Sequence, residues 1–229
     1  MPPSHQLDVL YEDNHLLAVS KPAELVTMGA RPGVPTLLEI AREYIREKYN
    51  KPGNVYLGVV SRLDGPVTGV VIIARTSKAA ARLTEQFRER TVSKTYWALV
   101  AGRMRLPEGE LVDYLAEHPR HRKMQIVGSR LSGAKEARLA YRTLRLIGDD
   151  SLVEIDLATG RKHQIRLQMS HHGHPIIGDR KYGSGSSLAR GIALHSRRLV
   201  IAHPTRGEEI EIVAPLPAYW PLADADVLG

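Results

Sequence analysis

Apolar residues recur along this chain in two rhythms, and each predicts a kind of element. Val70-Val71-Ile72-Ile73-Ala74 is apolar without interruption, the pattern of a central strand covered on both faces. Val153, Ile155 and Leu157 alternate with Glu154 and Asp156, which predicts a strand with one covered face. Similar short-period runs predict strands over 7–11 and 15–20, around the turn Glu12-Asp13-Asn14, and over 94–100 and 139–146. A last hairpin is predicted from 199–202 and 209–213, turning through Pro204-Thr205-Arg206-Gly207. The helical rhythm is rarer. Thr36-Leu37-Leu38-Glu39 has the form of a capping box, so a helix should follow, with Leu37, Ile40, Ala41 and Tyr44 inward, until Asn50-Lys51-Pro52-Gly53 stops it. Ser77 is expected to cap a second helix with Ala80, Leu83 and Phe87 inward. Residues 163–172 can form a third, with Gly173 as its terminating residue and Pro175 beyond. The stretch 110–135 reads as polar, basic and irregular. Strands outnumber helices without strict alternation, which predicts an α+β fold with a mixed, mainly antiparallel sheet and flanking helices. We expect one domain over 1–229, with any division into sublobes near 103–137.

Composition narrows the function classes. With no cysteine among 229 residues, disulfides, thiol catalysis and thiolate metal sites are excluded. No run approaches the roughly 18 apolar residues of a membrane span, and Met1-Pro2-Pro3-Ser4-His5 lacks the basic-then-apolar pattern of a signal peptide. The expected address is the cytoplasm. Lys and Arg exceed Asp and Glu by 32 to 25, a net charge of +7, which favours polyanionic partners and nucleic acid above all. A single Phe and two Trp argue against a stacking platform for several bases.

Three segments carry candidate chemistry. Arg62-Leu63-Asp64-Gly65-Pro66-Val67-Thr68-Gly69 sets an aspartate at the mouth of the apolar strand, where a carboxylate is costly unless solvated, paired or in use. Lys94-Thr95-Tyr96 follows, and later Gly160-Arg161-Lys162-His163-Gln164-Ile165-Arg166-Leu167 offers an arginine partner. In this order and context the segments resemble the pseudouridine synthases, in the branch that modifies uridines of ribosomal and transfer RNA. Further similarity lies in the opening hairpin ending at Lys21-Pro22, in Gly133-Ala134-Lys135-Glu136-Ala137, in His174-Pro175-Ile176-Ile177-Gly178-Asp179 with Lys181-Tyr182-Gly183, in Leu194-His195, and in Ala214-Pro215-Leu216-Pro217.

The resemblance implies an α+β pseudouridine synthase fold with a central RNA-binding cleft, and an enzyme that isomerises uridine in structured RNA. That reaction has no net redox change and loses no atom, so it calls for no cofactor and no metal. By the same resemblance Asp64 is the nucleophile, Arg166 the cation that keeps it ionised, and Tyr96 the ring packed on the base. Arg62, Leu167, Arg161 and His163 are the expected substrate contacts, and the base must be flipped out to reach them. RNA is the expected partner and a monomer the expected state. The family segments begin so near residue 1 that no separate N-terminal RNA-binding domain is expected; the basic run 118–123 would then contact RNA. Three positions depart from the family: Ser61 stands where histidine is usual, Gly65 where a basic residue is common, and Val67 where a hydroxyl is common. They bear on how the flipped nucleotide is held, and motivate a second reading as an RNA-binding protein that turns over poorly. A glycosidase would need a second acid beside Asp64, and the matched segments supply arginines and a tyrosine instead. The histidines at 163, 171, 172 and 174 have neither the spacing of a zinc finger nor that of a metalloprotease helix, so no metal site is expected.

Overall fold

In the computed structural model, which describes residues 7–121 and 123–222, the strands are β1 (Val9–Glu12), β2 (Leu16–Lys21), β3 (Gly58–Val59), β4 (Thr68–Ala74), β5 (Ser93–Val100), β6 (Glu108–Glu117), β7 (Met124–Val127), β8 (Lys135–Ile147), β9 (Asp150–Leu157), β10 (Leu194–Ala202) and β11 (Glu209–Val213). The helices are α1 (Leu37–Lys48), α2 (Ser77–Glu89) and α3 (Gln164–His171). None of these helices is long and apolar enough to cross a membrane. Residues 1–5 and Arg122, on which two of the sequence expectations fall, lie outside the described residues. The chain separates into two compact units. One holds the described residues through Val92 together with Ser196–Pro217; the other holds Ser93–His195 and the described residues from Ala218 on.

The first unit has three layers. Its strands run in the order β1-β2-β4-β10-β11, with β3 pairing β4, and the pairings of β1 with β2, β2 with β4 and β10 with β11 are antiparallel. Every residue of β4 is buried because both faces are covered. Leu16, Ala18, Val70 and Ile72 pack with Ala79 and Leu83 of α2, while Leu17, Val19, Val71 and Ile73 pack with Leu37, Leu38, Ala41 and Ile45 of α1. Strand side chains alternate between faces, so an uninterrupted apolar run is what two helical covers require.

Two helix expectations change. The inward stripe of α1 is Leu37, Leu38, Ala41 and Ile45, with Ile40 and Tyr44 at its margin, so the helix is rolled by about one position from the predicted phase. Its capping box is present: the Thr36 hydroxyl accepts from Glu39 N–H, and Glu39 accepts from Thr36 N–H. In α2 the cap is Thr76, whose backbone is extended and whose hydroxyl accepts from Ala79 N–H; Ser77 is already helical, and a cap must stand outside the helix.

The second unit orders its strands β5-β9-β8-β6-β7, all antiparallel. Here the irregular stretch expected over 110–135 is instead mostly the β6–β7 hairpin and the start of β8. The alternation was masked by chemistry. Leu111 and Leu115 are buried on one face of β6, and between them the inward position is Asp113, which accepts from Gln168 Nε2 at 2.8 Å. A charge on the covered face reads as a break in a strand pattern. Helix α3 lies against this hairpin, where Leu167 packs with Leu115, Ala137 and Tyr182. Gly173, at φ +89°, ends it as expected, with His174 N–H returning to Met169 O at 2.8 Å.

Candidate active site

Asp64 is half-buried in the first unit, in a turn that Val67 N–H closes onto Asp64 O at 3.0 Å. Two side chains brace the turn from either side. Lys21, the last residue of β2, has no exposed surface, and its Nζ donates to Pro22 O at 2.8 Å, Leu25 O at 2.7 Å and Gly65 O at 3.1 Å. Burial pushes this ammonium down to about 7, and the negative charge of Asp64 pulls the other way. Thr27, also buried, donates its hydroxyl to Leu63 O at 3.0 Å and accepts from Leu63 N–H at 3.2 Å. The residue before Asp64 is thus held by a hydroxyl and the residue after it by an ammonium.

Sequence reading missed both braces. Lys21 stood only as the close of a strand, although a lysine continuing Leu16-Leu17-Ala18-Val19-Ser20 is itself a signal, since a buried charge needs partners. Thr27 carries no such signal in the chain. The three departures also find places. Ser61 Oγ accepts from Ile72 N–H at 3.5 Å, Val67 is core at 3% exposure, and a Cβ on Gly65 would meet Val26 Cγ1 at 3.4 Å. Arg62 is exposed.

The other candidate residues belong to the second unit. Tyr96 is half-buried on β5, opposite Ile155 of β9. Arg166 is 5% exposed rather than solvated, because the carboxylate of Asp179 meets it as a fork: Nε donates to Oδ2 at 2.6 Å and Nη2 to Oδ1 at 2.9 Å. The guanidinium carbon also stands 5.2 Å from the centre of the Tyr182 ring, within cation–π range. His163, left-handed at φ +57° at the head of α3, sets Nδ1 2.7 Å from the Tyr182 hydroxyl. Arg161 donates from Nε to Glu136 O and from its backbone N–H to Gln164 Oε1. Gln164 in turn accepts from Thr159 and donates to Arg138 O, so the segment ahead of α3 is fixed by buried polar contacts. From the sequence, Asp179 and Tyr182 stand only within stretches that resemble the family, with no partner assigned to either. The remaining histidines disperse: His172 pairs with Asp113, His174 with Ala101 O, and His171 is exposed.

A buried, forked arginine and a doubly braced aspartate are costly features that a merely structural loop does not need. Comparison with known proteins gives the family of the chain that carries them. A family model described as RNA pseudouridylate synthase matches residues 15–171, a span that contains Asp64, Tyr96 and Arg166. The chain belongs to the RNA pseudouridylate synthase family. It is accordingly an RNA pseudouridine synthase, an enzyme that converts uridine to pseudouridine in RNA. Its similarity extends past the family model. It is 36% identical over 219 residues, 93% of this chain and 67% of the other, to an uncharacterized RNA pseudouridine synthase of Synechocystis sp.. It is 35% identical, over 95% of this chain and 68% of the other, to the ribosomal large subunit pseudouridine synthase D of Xylella fastidiosa. Among solved structures, the human RNA Pseudouridylate Synthase Domain Containing 4 matches with a TM-score of 0.78 at 26% identity, over 93% of this chain and 89% of that one.

Proposed function

We propose that this RNA pseudouridine synthase modifies uridine in large-subunit ribosomal RNA and that Asp64 is its nucleophile. The likeness to a synthase named for the ribosomal large subunit, 35% identical over 95% of this chain, carries the choice of RNA. In the reaction the bond between N1 of uracil and C1′ of ribose breaks and the base turns. A bond then forms between C5 and C1′, the C5 proton leaves, and N1 gains a proton. Asp64 supplies the carboxylate that takes up the sugar or adds to the base in between. Arg166 is the cation of the site, Tyr96 lies against the base where C5 loses its proton, and Leu167 walls the pocket. Arg62, Arg161 and His163 contact the surrounding nucleotide and its phosphates. Stacked uridine cannot enter such a site, so the base is flipped out, at a cost of a few kcal/mol. Two features support the nucleophile assignment: the bracing of the Asp64 turn by Thr27 and Lys21, and the position of that turn ahead of β4. The basic hairpin tip bearing His118, Arg120, His121 and Lys123 supports a contact with the RNA backbone.

The test is to incubate the purified protein with total RNA from cells lacking it and to map pseudouridine at nucleotide resolution. Asp64→Ala is run in parallel. A ribosomal site that appears with the unaltered protein and is absent with Asp64→Ala, while RNA affinity stays within about threefold, is the expected result. A site confined to transfer RNA would overturn the choice of RNA. A site that persists in Asp64→Ala would overturn the nucleophile.

A further inference from the structure

The segment after Lys21-Pro22 is built in two parts that differ in character. Its root is fixed. Lys21 Nζ donates to Leu25 O, Leu37 N–H to Val26 O at 2.9 Å, Leu38 N–H to Thr27 O at 3.1 Å, and the Thr27 hydroxyl exchanges two hydrogen bonds with Leu63. Its tip is open to solvent. Met28 is 45% exposed and Val34 51% exposed, with Gly29 and Gly33 both at positive φ around them and a turn closed by Val34 N–H onto Arg31 O. Between Glu24 and Glu39 the only charge is that of Arg31. Met28 and Val34 thus set a flexible apolar surface beside a single cation, open to a partner.

Its position says what that is. Thr27 touches Leu63, so Met28 and Asp64 each stand one residue, about 3.8 Å of chain, from the same clamp. We infer that Met28 is a specificity-determining residue: its side chain packs on the unpaired base next to the target uridine in the RNA strand, with Arg31 on the adjoining phosphate. This rests on the reading of Asp64 as the site of reaction. Apolar side chains serve protein–nucleic acid contacts as wedges inserted between base steps, and flipping the target leaves the bases beside it with an uncovered face for such a side chain. The absence of acidic groups from the tip and the presence of one guanidinium suit a polyanion. A thioether is flexible and polarizable, and so prefers the larger ring surface of a purine over a pyrimidine without demanding a single base.

The probe is a set of short transcripts carrying the mapped site, with each of the four bases placed in turn on either side of the target uridine. A parallel set has 4-thiouridine beside the target for photo-crosslinking. Met28→Ala is compared with the unaltered protein, and Leu146→Ala, an exposed apolar residue of β8, serves as the control. We expect the unaltered protein to favour purine over pyrimidine on one side by roughly five- to tenfold in kcat/KM. In Met28→Ala this preference should shrink to within about twofold, and the crosslink to the 28–34 segment should be lost. Unchanged melting temperatures keep folding out of the comparison. Pseudouridine formed by Met28→Ala with the full flanking-base preference would overturn this inference alone. Lack of product from the unaltered protein would overturn the functional reading and this inference with it. Burial of Met28 against another protein, shown by crosslinks to protein but none to RNA, would overturn the choice of occupant.

Discussion

Lys21 gives its three N–H bonds to three main-chain carbonyls in the interior of the first unit, and only the ammonium form has three to give. Substituting Lys21→Met leaves those carbonyls without donors and frees the Gly65 side of the Asp64 turn. The expected outcome is a fall in kcat of about tenfold or more with KM for RNA little changed, since the damage is to the geometry of reaction and not to the RNA surface. Linkage gives a second readout. Burial holds Lys21 at about 7 against its ordinary 10.5, so between those limits the unfolded chain carries the extra proton. Its contribution to stability therefore rises with pH from about 7 to about 10.5 and is flat below 7. Urea unfolding of Lys21→Met across that window should lack this slope. In the second unit Arg166 poses the converse case. Its charge is kept in a dry site by a matching fork from Asp179, a geometry that lysine cannot reproduce. Asp64, Tyr96 and Arg166 could be singled out from the chain as candidates because each stands in a short run of characteristic neighbours. Thr27 and Asp179 could not, because what gives them meaning is a main-chain group or a guanidinium distant in sequence; Lys21 carried a signal as a charge ending an apolar strand, but not its reach to Gly65.

Elements carry the next set of constraints. β4 can lie in the middle of its sheet because helices α1 and α2 cover it from opposite sides, and it can lie beside β10 because residue 69 is glycine. A Cβ there would come within 2.2 Å of Ser196 O, and φ is +110°, outside the range that other residues adopt without strain. Gly69→Ala should destabilise the protein by more than about 3 kcal/mol, read by denaturant unfolding or by failure to accumulate in soluble form. A milder result would mean that β10 can shift away from β4. The apolar run Val70–Ala74 made the strand legible, whereas the same sequence leaves Gly69 looking like an ordinary turn residue. Where patterning misled, a specific contact was responsible. Asp113 faces inward on β6 because Gln168 and His172 meet it, and that inward charge hid a strand of ten residues. The roll of α1 has a similar origin. Propensity and capping set where the helix begins, but which stripe faces inward depends on the strand residues it meets, here Leu17, Val19, Val71 and Ile73.

At the scale of the whole molecule, residues far apart in sequence close the first unit. Asp13, in the turn between β1 and β2, takes hydrogen bonds from His15 N–H and Leu16 N–H at 2.7 Å each. It also meets His203, beyond the end of β10, at 2.7 Å. Burial alone would raise the Asp13 carboxyl; the bonds from His15, His203, Leu16 and Tyr11 outweigh it and hold the group at about 2. A depressed carboxylate contributes stability that is present above its unfolded value near 3.8 and lost as pH falls through about 2. Asp13→Asn should therefore cost about 1–2 kcal/mol near neutrality and flatten the acid limb between about pH 4 and pH 2. An acid limb identical to that of the unaltered protein would remove Asp13 from the account of how the unit closes.

The chain by itself determined the α+β class, the covered strand, the capping box that opens α1 and the family, because these depend on local pattern, on backbone chemistry within a few residues, and on short motifs in a fixed order. Tertiary structure alone decided which face of α1 is buried, that 110–135 contains a hairpin, and that the Asp64 turn is braced by Lys21 and Thr27. It also decided that Arg166 is buried against Asp179. The physical reason is common to all four. Each depends on desolvation, and whether a group is desolvated is fixed by chain segments that sequence neighbours do not specify.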